Sequence, residues 1–268
     1  MSLAQVFSSR ELLWNLTLRE LRTKYRRSFL GWTWSLLNPL ATVAIYGYVF
    51  GTIMGAVPEI GDPSGVNNFA LFLLCALLPW NFFLMVTNGG MVALLSNAAL
   101  VRKVAFPRET LVFAQVLHGL VQFGIEMSLL SVVLLIFGSP LLPWFPMTML
   151  LMLLLAAFAS GIALALAAIG VYFRDMAYLW SILSQMWFFA TPIVYSGNLL
   201  NDTVPKWARE LLQLNPIAQF SEGFRRTMYH ARPPGLVATL SLTATAAISL
   251  GLGWIIFAGL SRRFAEEL

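Results

Sequence analysis

Residues 19–39 read RELRTKYRRSFLGWTWSLLNP and join a basic, amphipathic helix to the start of an apolar one. At about 100° per residue, the apolar side chains of the first helix share one face: Trp14, Leu18, Leu21, Tyr25 and Phe29. Three arginines flank that face: Arg19, Arg22 and Arg26. This separation is typical of a helix that lies in a membrane interface, with its apolar face in lipid and its arginines at the phosphates.

We therefore predict an interfacial helix over residues 8–30 that includes Arg19, Arg22, Tyr25 and Arg26, with the three arginines at the level of the headgroups. The alternative is that these residues are only the basic cluster that a first span often carries on its cytoplasmic side. The separation of the two faces favours the interfacial helix. Gly31 is the expected break between this helix and the span that follows.

The composition places the whole chain in a membrane. Of its 268 residues, 59% are hydrophobic and 11% are charged, whereas a soluble domain carries about 25% charged residues. The net charge of +5 does not indicate nucleic-acid binding, because the basic residues flank apolar stretches. The single Cys75 excludes an internal disulfide. No cleavable signal peptide is visible, since the first long apolar stretch follows a polar helix, and we expect the first span to be retained.

Six apolar stretches are long enough to cross a bilayer as helices, which takes about 20 residues each. They cover residues 33–55, 69–93, 110–137, 147–172, 177–196 and 236–259. The predicted fold is a single all-α membrane domain over residues 1–268, with the bundle at 33–259 and a tail at 260–268. Twelve of the 17 basic residues fall on the side that holds both termini, so the positive-inside rule predicts a cytoplasmic N-terminus, C-terminus and tail.

The connections between the predicted spans differ in kind. The outer connection 197–235 contains two short helical patterns, near 205–214 and 216–229, each beginning close to a proline. Its apolar content is too high for a solvated loop, so we expect short re-entrant helices that dip into the outer leaflet. The inner connection 96–109 is also partly apolar, although it lies on the basic side of the membrane.

A polar stripe runs along the third predicted span, because its members are spaced three or four residues apart: Gln115, His118, Gln122 and Glu126. A carboxylate such as Glu126 within a span is costly and suggests a functional role. Three interpretations compete: the lining of a hydrophilic conduit, a proton relay, or a structural polar seam against another span. For the conduit, the candidates are Gln122 and Glu126.

Aromatic residues are abundant in the first and fifth predicted spans. Trp180 and Trp187 are seven residues apart and share a helix face, as do Tyr46 and Phe50, four apart. Aromatic faces suit sugar rings, because stacking tolerates shifts in register, so these four residues are conduit-lining candidates. The alternatives are that they fill the core of the bundle or belong to the aromatic belts at the two interfaces.

The sequence holds no catalytic set. Its three lysines, Lys24, Lys103 and Lys206, do not follow a glycine, so a phosphate-binding P-loop is excluded. There is no histidine or cysteine cluster for a metal. We therefore predict that this chain is not itself an enzyme and holds no cofactor or metal. Any ATP would be hydrolysed by a separate subunit.

Several motifs, taken in order, carry a resemblance to a known family. After the opening stretch they are LLPWNFF (77–83), NAALVRKVAFPRE (97–109), YFRDMAYLW (172–180), FFATPIVYS (188–196) and LNPIAQFSEGFR (214–225). The chain resembles the membrane subunit of ABC-2-type polysaccharide and polyol-phosphate exporters, which include O-antigen, capsule, teichoic-acid and mycobacterial galactan permeases. The resemblance covers nearly the whole chain.

The resemblance implies a homodimer of six-span subunits in the bacterial cytoplasmic (inner) membrane, joined to two nucleotide-binding subunits that hold ATP and Mg. It implies a lipid-linked glycan as substrate, membrane lipids as surroundings and no nucleic-acid partner. It also implies that the interfacial helix and the inner segment meet the nucleotide-binding subunits. The predicted contacts are Asn97, Leu100, Val101, Arg102, Lys103, Val104, Phe106 and Pro107. The alternative for this segment is a loop that packs on its own bundle.

Other functions stay open at this point. An ABC-2 permease for a drug or a small lipid would have the same fold. A membrane enzyme of lipid-linked sugar metabolism would need clustered catalytic charges, but Asp175 lies beside Arg174 and no acidic cluster exists. A secondary transporter coupled through Glu126 and His118 is a fourth possibility.

Overall fold

The computed structural model describes residues 10–24, 37, 40–41, 44–53, 55, 59–104, 106–194, 214–261 and 264–267. None of these residues lies in a β-strand, which confirms the predicted all-α class for the described part of the chain. The helices are α1 (Arg10–Lys24), α2 (Phe69–Ser96), α3 (Ala98–Lys103), α4 (Glu109–Ile136), α5 (Phe145–Tyr172), α6 (Met176–Phe189), α7 (Pro216–Phe224), α8 (Leu236–Leu260) and α9 (Phe264–Glu267). Three short turns accompany them: π-helical Gly47–Ile53 and Arg225–Tyr229, and 3₁₀-helical Leu142–Trp144.

Four segments are long and apolar enough to cross a membrane. They are Phe69–Ser96, Glu109–Ile136, Leu142–Tyr172 and Leu236–Leu260, and they coincide with four of the six predicted spans. Of the first predicted span, 33–55, the structure describes residues 37, 40–41, 44–53 and 55, with helix over Ala44–Ile53. The sequence therefore located the four long apolar helices within a few residues of their observed bounds.

The fifth predicted span is shorter than expected in the described chain. It was predicted to reach residue 196, but α6 ends at Phe189. Thr191 precedes Pro192, and the residue before a proline is disfavoured in helical conformation. Pro192 itself has no N–H to continue the helix. Residues 195–213 lie outside the described residues, and with them most of the first predicted outer helix.

The second predicted outer helix is present and packs inside the bundle. Asn215 caps the start of α7 by accepting a hydrogen bond from the Ile217 amide at 3.1 Å, and Pro216 occupies the first helical position, where its missing N–H costs nothing. Phe220 lies 5.7 Å from Phe158 of α5, measured between ring centroids. Helix α7, in the described part of the outer connection, is therefore part of the core rather than of a surface loop.

Helix α1 does not leave the whole of its predicted lipid face open, because Leu21 of that face is buried. Leu16, Thr17 and Leu21 are buried, and α1 packs along α4. Trp14, on the predicted lipid face, is 57% exposed. The helix thus carries two apolar surfaces, one against α4 and one left open around Trp14. Tyr25 and Arg26 of the predicted helix 8–30 lie outside the described residues.

The packed centre consists of the crossing of α5 and α8 together with the aromatic cluster formed by Phe83, Phe158 and Trp180. At the crossing, a Cβ added to Gly161 would collide with the backbone carbonyl of Ser249. In the cluster, Phe83 stacks on Phe158 at 5.8 Å and meets Trp180 edge-on at 6.1 Å. Close backbone approach and aromatic packing of this kind are how membrane helices associate without a hydrophobic driving force.

Candidate functional site

The inner segment forms a short helix whose apolar side chains divide between core and surface. Val101 is buried, and Leu100 and Phe106 pack against the core, as the alternative of self-packing expects. Arg102, Lys103 and Val104 are exposed, Val104 by 52%. Pro107 is half-buried. The surface open to a partner is thus the basic edge at 102–104, which is narrower than the predicted contact set.

An arginine of α1 reaches the corner between α2 and α3. Arg19 donates one hydrogen bond of 2.8 Å to the side-chain oxygen of Asn97 and pairs with Glu20 at 2.8 Å. Asn97 in turn donates to the Ala93 carbonyl at 2.8 Å and ends α2. Since these side chains are partly exposed, the contact contributes little stability, but it ties α1 to the segment 96–109. Arg22 is exposed.

The inner end of α4 meets the C-terminal tail. Arg108 donates to the Ser261 carbonyl at 2.5 Å, and its guanidinium carbon lies 5.8 Å from the centroid of the Phe264 ring. Tyr172 caps α8 by donating to the Leu260 carbonyl at 2.9 Å. The beginning of the tail is therefore folded onto the bundle next to the inner segment, although the sequence predicted only its side of the membrane.

Two of the four residues in the polar stripe of α4 are buried, and the other two are half-buried. Glu126 and His118 are buried, and Gln122 donates to the Glu126 carboxylate at 2.8 Å. Gln115 faces α2, because a Cβ added to Gly89 would lie 3.0 Å from the Gln115 side-chain oxygen. The end of the stripe at Gln115 is a seam between α2 and α4, which is the structural alternative weighed above.

Three of the four aromatic residues predicted to line a conduit can be placed in the structure, and they lie in or beside the packed centre. Trp180 is buried, and its ring meets that of Trp187 at 6.4 Å. Trp187 is half-buried and lies 5.4 Å from Phe83, edge to face. Tyr46 is partly buried against the core. The side chain of Phe50 lies outside the described residues. In the single chain, the two tryptophans therefore occupy positions expected of core residues.

Two side chains of the outer connection hold the end of α6, and the sequence analysis missed both. Asn215 accepts a 2.8 Å hydrogen bond from the indole N–H of Trp187 and donates to the Ala190 carbonyl and the Thr191 hydroxyl, each at 3.0 Å. Its amide is fully used, because it also caps α7. Asn215 thus joins α6 to α7 through four hydrogen bonds.

Arg225 completes this arrangement from the π-helical turn after α7. Its guanidinium donates to the Pro192 carbonyl at 2.6 Å and the Ile193 carbonyl at 2.5 Å, and lies 3.9 Å from the centroid of the Phe72 ring. Only 2% of Arg225 is exposed. Burial lowers its pKa to about 10, while nearby Glu222 raises it, so Arg225 stays charged at neutral pH. We call Asn215 and Arg225, with the carbonyls of Ala190, Pro192 and Ile193, the outer clasp.

A sequence signal for Arg225 existed. Ile217, Ser221 and Arg225 are spaced four apart and lie on one helical face, so the pattern places a cation on the buried side of an apolar helix. Charges placed this way are rare and are paired with carbonyls or functional groups. The partner carbonyls could not be predicted, because they belong to a turn more than 30 residues away whose break depends on Pro192.

The outer loop before α2 is fastened to the same turn. Ser64 donates to the Tyr229 carbonyl at 2.5 Å, and the Asp62 amide donates to Nδ1 of His230 at 3.2 Å. Arg232 lies 3.7 Å from the Asp62 carboxylate, charge to charge. Burial is the main cause that lowers the pKa of His230 below its ordinary value. A neutral imidazole is what this contact needs, since Nδ1 acts as an acceptor.

Within the described ranges, no three His, Cys, Asp or Glu side chains lie close enough to hold a metal ion. The buried carboxylate of Glu109, at the start of α4, has no hydrogen-bond partner among those residues either. The described residues offer hydrogen-bonding groups at the outer clasp and aromatic surface around Trp187.

Comparison with known proteins gives a consistent picture. The family model described as "ABC-2 type transporter" matches residues 11–229, well over half of the chain. A curated relative, "O-antigen export system permease protein RfbA" of Myxococcus xanthus, is 32% identical over 272 residues, covering 98% of both chains. A protein of the same name from Klebsiella pneumoniae is 26% identical, covering 96% of this chain and 95% of the relative. "Polysialic acid transport protein KpsM" of Escherichia coli is 26% identical over 88% of this chain and 86% of its own length.

Proposed function

Since this chain belongs to the ABC-2 type transporter family, we propose that it is the permease subunit of an ATP-driven exporter for a lipid-linked polysaccharide of the O-antigen or cell-wall galactan type. The membrane would be the bacterial cytoplasmic membrane. The observation that carries the proposal is the match to an O-antigen export permease over 98% of both chains. Such coverage leaves no part of the relative unmatched that could hold a different activity.

We propose that the complete subunit has six spans, cytoplasmic termini and re-entrant outer helices. The four apolar helices support this architecture, and the two further spans would come from residues 33–55 and from α6 with the residues that follow it. We place α6 at the subunit interface. The side of α6 that faces away from the rest of the chain is apolar and exposed, including Leu183, Met186 and Phe189. A homodimer would cover this face.

ATP would be bound and hydrolysed, with Mg, by two separate nucleotide-binding subunits. The exposed edge Arg102–Lys103–Val104 of the inner segment supports a docking role, since it combines charge with an apolar side chain on a surface. Changing Val104 to Asp should separate the ATPase subunit on purification. The matched control is Ala99→Asp, at an exposed position on the short helix that ends just before Val104. A Val104→Asp complex that stays intact would remove this contact from the proposal.

The glycan would pass along α6 and the polar stripe of α4. A polymer path must be wide and weakly binding, because tight binding at one point would stall movement. Tyr46, Gln122, Glu126 and the half-buried Trp187 are the proposed lining, with Phe50 and Trp180 beside them. Trp187→Ala separates the roles. If the ring fills the core, unfolding free energy falls by about 3–5 kcal/mol. If the ring lines the path, export falls and stability holds.

The experiment that tests the function uses this chain purified with its nucleotide-binding subunit in lipid nanodiscs. ATP hydrolysis is measured with lipid-linked glycan, with undecaprenyl phosphate alone, and with a small amphiphilic drug. Stimulation by the glycan alone supports polysaccharide export. Stimulation only by the drug or the bare lipid would identify a small-molecule permease instead. Conversion of the lipid-linked sugar without ATP would identify an enzyme.

A further inference from the structure

Arg225 holds two backbone carbonyls that lie beyond the end of α6, and nothing else in the described chain bonds them. We propose that Arg225 is a positioning residue that latches the outer end of α6 against α7, and that transport requires this latch to release. The proposal rests on the proposed function, because it assigns the release to the transport cycle of that exporter.

The latch holds one segment, the residues 190–193 that follow α6. α6 ends at Phe189, and among the described residues no backbone N–H donates to the carbonyls of Ala190, Pro192 and Ile193. Asn215 holds the Ala190 carbonyl and Arg225 holds those of Pro192 and Ile193. All of the outer end of α6 that the structure describes is thereby fixed from α7 and its π-helical turn.

The latch is also suited to opening. Its contacts are hydrogen bonds to carbonyls, which water can replace, whereas interlocked side chains of a core have no such substitute. The Nε of Arg225 is buried and has no hydrogen-bond partner among the residues that the structure describes, so the closed state leaves one donor unsatisfied there. Exposure of the guanidinium to water would satisfy this donor and relieve the desolvation of the charge. Closed and open states can therefore lie close in free energy, as a two-state element requires.

The reactivity of Cys75 can report whether the latch is closed. Cys75 is completely buried and is the single cysteine of the chain. It follows Phe72 by one turn on α2, and Phe72 carries the Arg225 guanidinium on its ring. When the latch is closed, a thiol reagent cannot reach Cys75. Arg225 lies close enough to Cys75 to interact with it electrostatically, so its movement away would open the space beside Cys75.

The test measures the rate at which N-ethylmaleimide modifies Cys75, read by mass spectrometry of the tryptic or chymotryptic peptide. The sample is this chain with its nucleotide-binding subunit in nanodiscs, without nucleotide and during ATP turnover. The latch predicts modification about tenfold faster during turnover. Arg225→Lys keeps the charge but cannot hold two carbonyls with one planar fork, so Cys75 should react faster even without ATP. Arg226→Lys is the matched control, because the Arg226 side chain is exposed to a large degree and pairs with the exposed Glu222.

The results separate this proposal from the function it rests on. Equal modification rates with and without ATP, in a complex that hydrolyses ATP on addition of glycan, would overturn the latch and leave the exporter in place. Equal rates for Arg225→Lys and the wild type would overturn it as well. If the complex showed no glycan-stimulated hydrolysis, the exporter proposal would fail, and the Arg225→Lys comparison would still decide whether Arg225 closes off Cys75. If Arg225→Lys does not fold, the ATP dependence of the wild type decides alone.

Discussion

The packed centre and the outer clasp are both buried, but they are held by different interactions. In the packed centre, the backbones of α5 and α8 touch at Gly161, and the rings of Phe83 and Phe158 stack. In the outer clasp, two polar side chains hold carbonyls that no helix uses. Packed apolar side chains lose their van der Waals contacts as soon as two helices separate. A hydrogen bond to a carbonyl can instead be exchanged for one to water.

The difference teaches where movement can occur in a bundle that must pass a bulky polymer. An element held by packing alone would have to separate as a whole. An element whose end is held by a few hydrogen bonds can move while the rest stays in place. The expected division is a rigid centre of α2, α5 and α8 and a movable outer end of α6 with α7.

The largest effect should come from the aromatic part of the packed centre. Trp180→Ala removes a buried ring that contacts Phe83 and Trp187, and should lower the free energy of unfolding by about 3–5 kcal/mol. The measurement is chemical denaturation of the purified protein in detergent. Tyr178→Ala on the same helix is the control, because Tyr178 is 71% exposed. A small loss for Trp180→Ala would show that its ring is outside the core in the assembled protein.

The helix crossing should give the next largest effect. A methyl group at Gly161 would meet the Ser249 carbonyl of α8, so Gly161→Ala should cost about 3 kcal/mol by forcing the helices apart. Gly251→Ala adds the same methyl group to α8, where nothing lies within 4 Å, and should change stability by less than about 1 kcal/mol. Thermal unfolding of both variants checks the pair. Equal midpoints would contradict the close crossing.

Loss of one member of the outer clasp should cost less. Asn215→Ala leaves the Trp187 indole and the Ala190 carbonyl without this partner. It should lower the free energy of unfolding by about 2 kcal/mol. The exposed Asn67→Ala is the control. The variant should also free the end of α6 while the centre stays folded, which limited proteolysis near residues 190–194 would detect. Unchanged proteolysis would mean that Asn215 does not hold this end.

The sequence predicted the long apolar helices and their order because about 20 consecutive apolar residues are a strong signal in one dimension. It also predicted a helix at Pro216, from the Asn–Pro start. Hydropathy set the predicted end of the fifth span at residue 196, because the apolar stretch continues past Pro192, whereas α6 ends at Phe189. The sequence could not predict the face of α1 that packs on α4, since both faces of that helix are partly apolar.

The outer clasp lies beyond sequence reasoning for a related reason. Asn215 and Arg225 are recognisable as polar residues in an apolar segment. Their partners are backbone carbonyls, which every residue has, so no residue type marks them. The abundance of aromatic residues suggested a lining for the glycan path, but aromatic residues also form the packed centre. Only the structure distinguishes the buried Trp180 from the half-buried Trp187.

The smallest effect should be a pH dependence at the outer loop. The pKa of His230 is lowered mainly by burial, so the folded protein binds its proton less readily than the unfolded chain. The contribution to stability is therefore complete above the ordinary histidine pKa and declines as the pH falls through it. Thermal midpoints compared between about pH 7.5 and about pH 5.5 should fall on acidification. His230→Gln keeps an acceptor for the Asp62 amide and should flatten this dependence. An identical slope in both proteins would assign the titration to another group.

Hydrogen exchange tests most directly the claim that the centre is rigid and the outer end of α6 moves. The complex in nanodiscs is labelled with deuterium oxide without nucleotide and during ATP hydrolysis, and peptides are resolved by mass spectrometry. The account predicts that amides at 188–193 and 216–229 exchange faster during hydrolysis, while those around Gly161 and Gly253 do not change. Faster exchange at the α5–α8 crossing, or none at the outer segments, would contradict it.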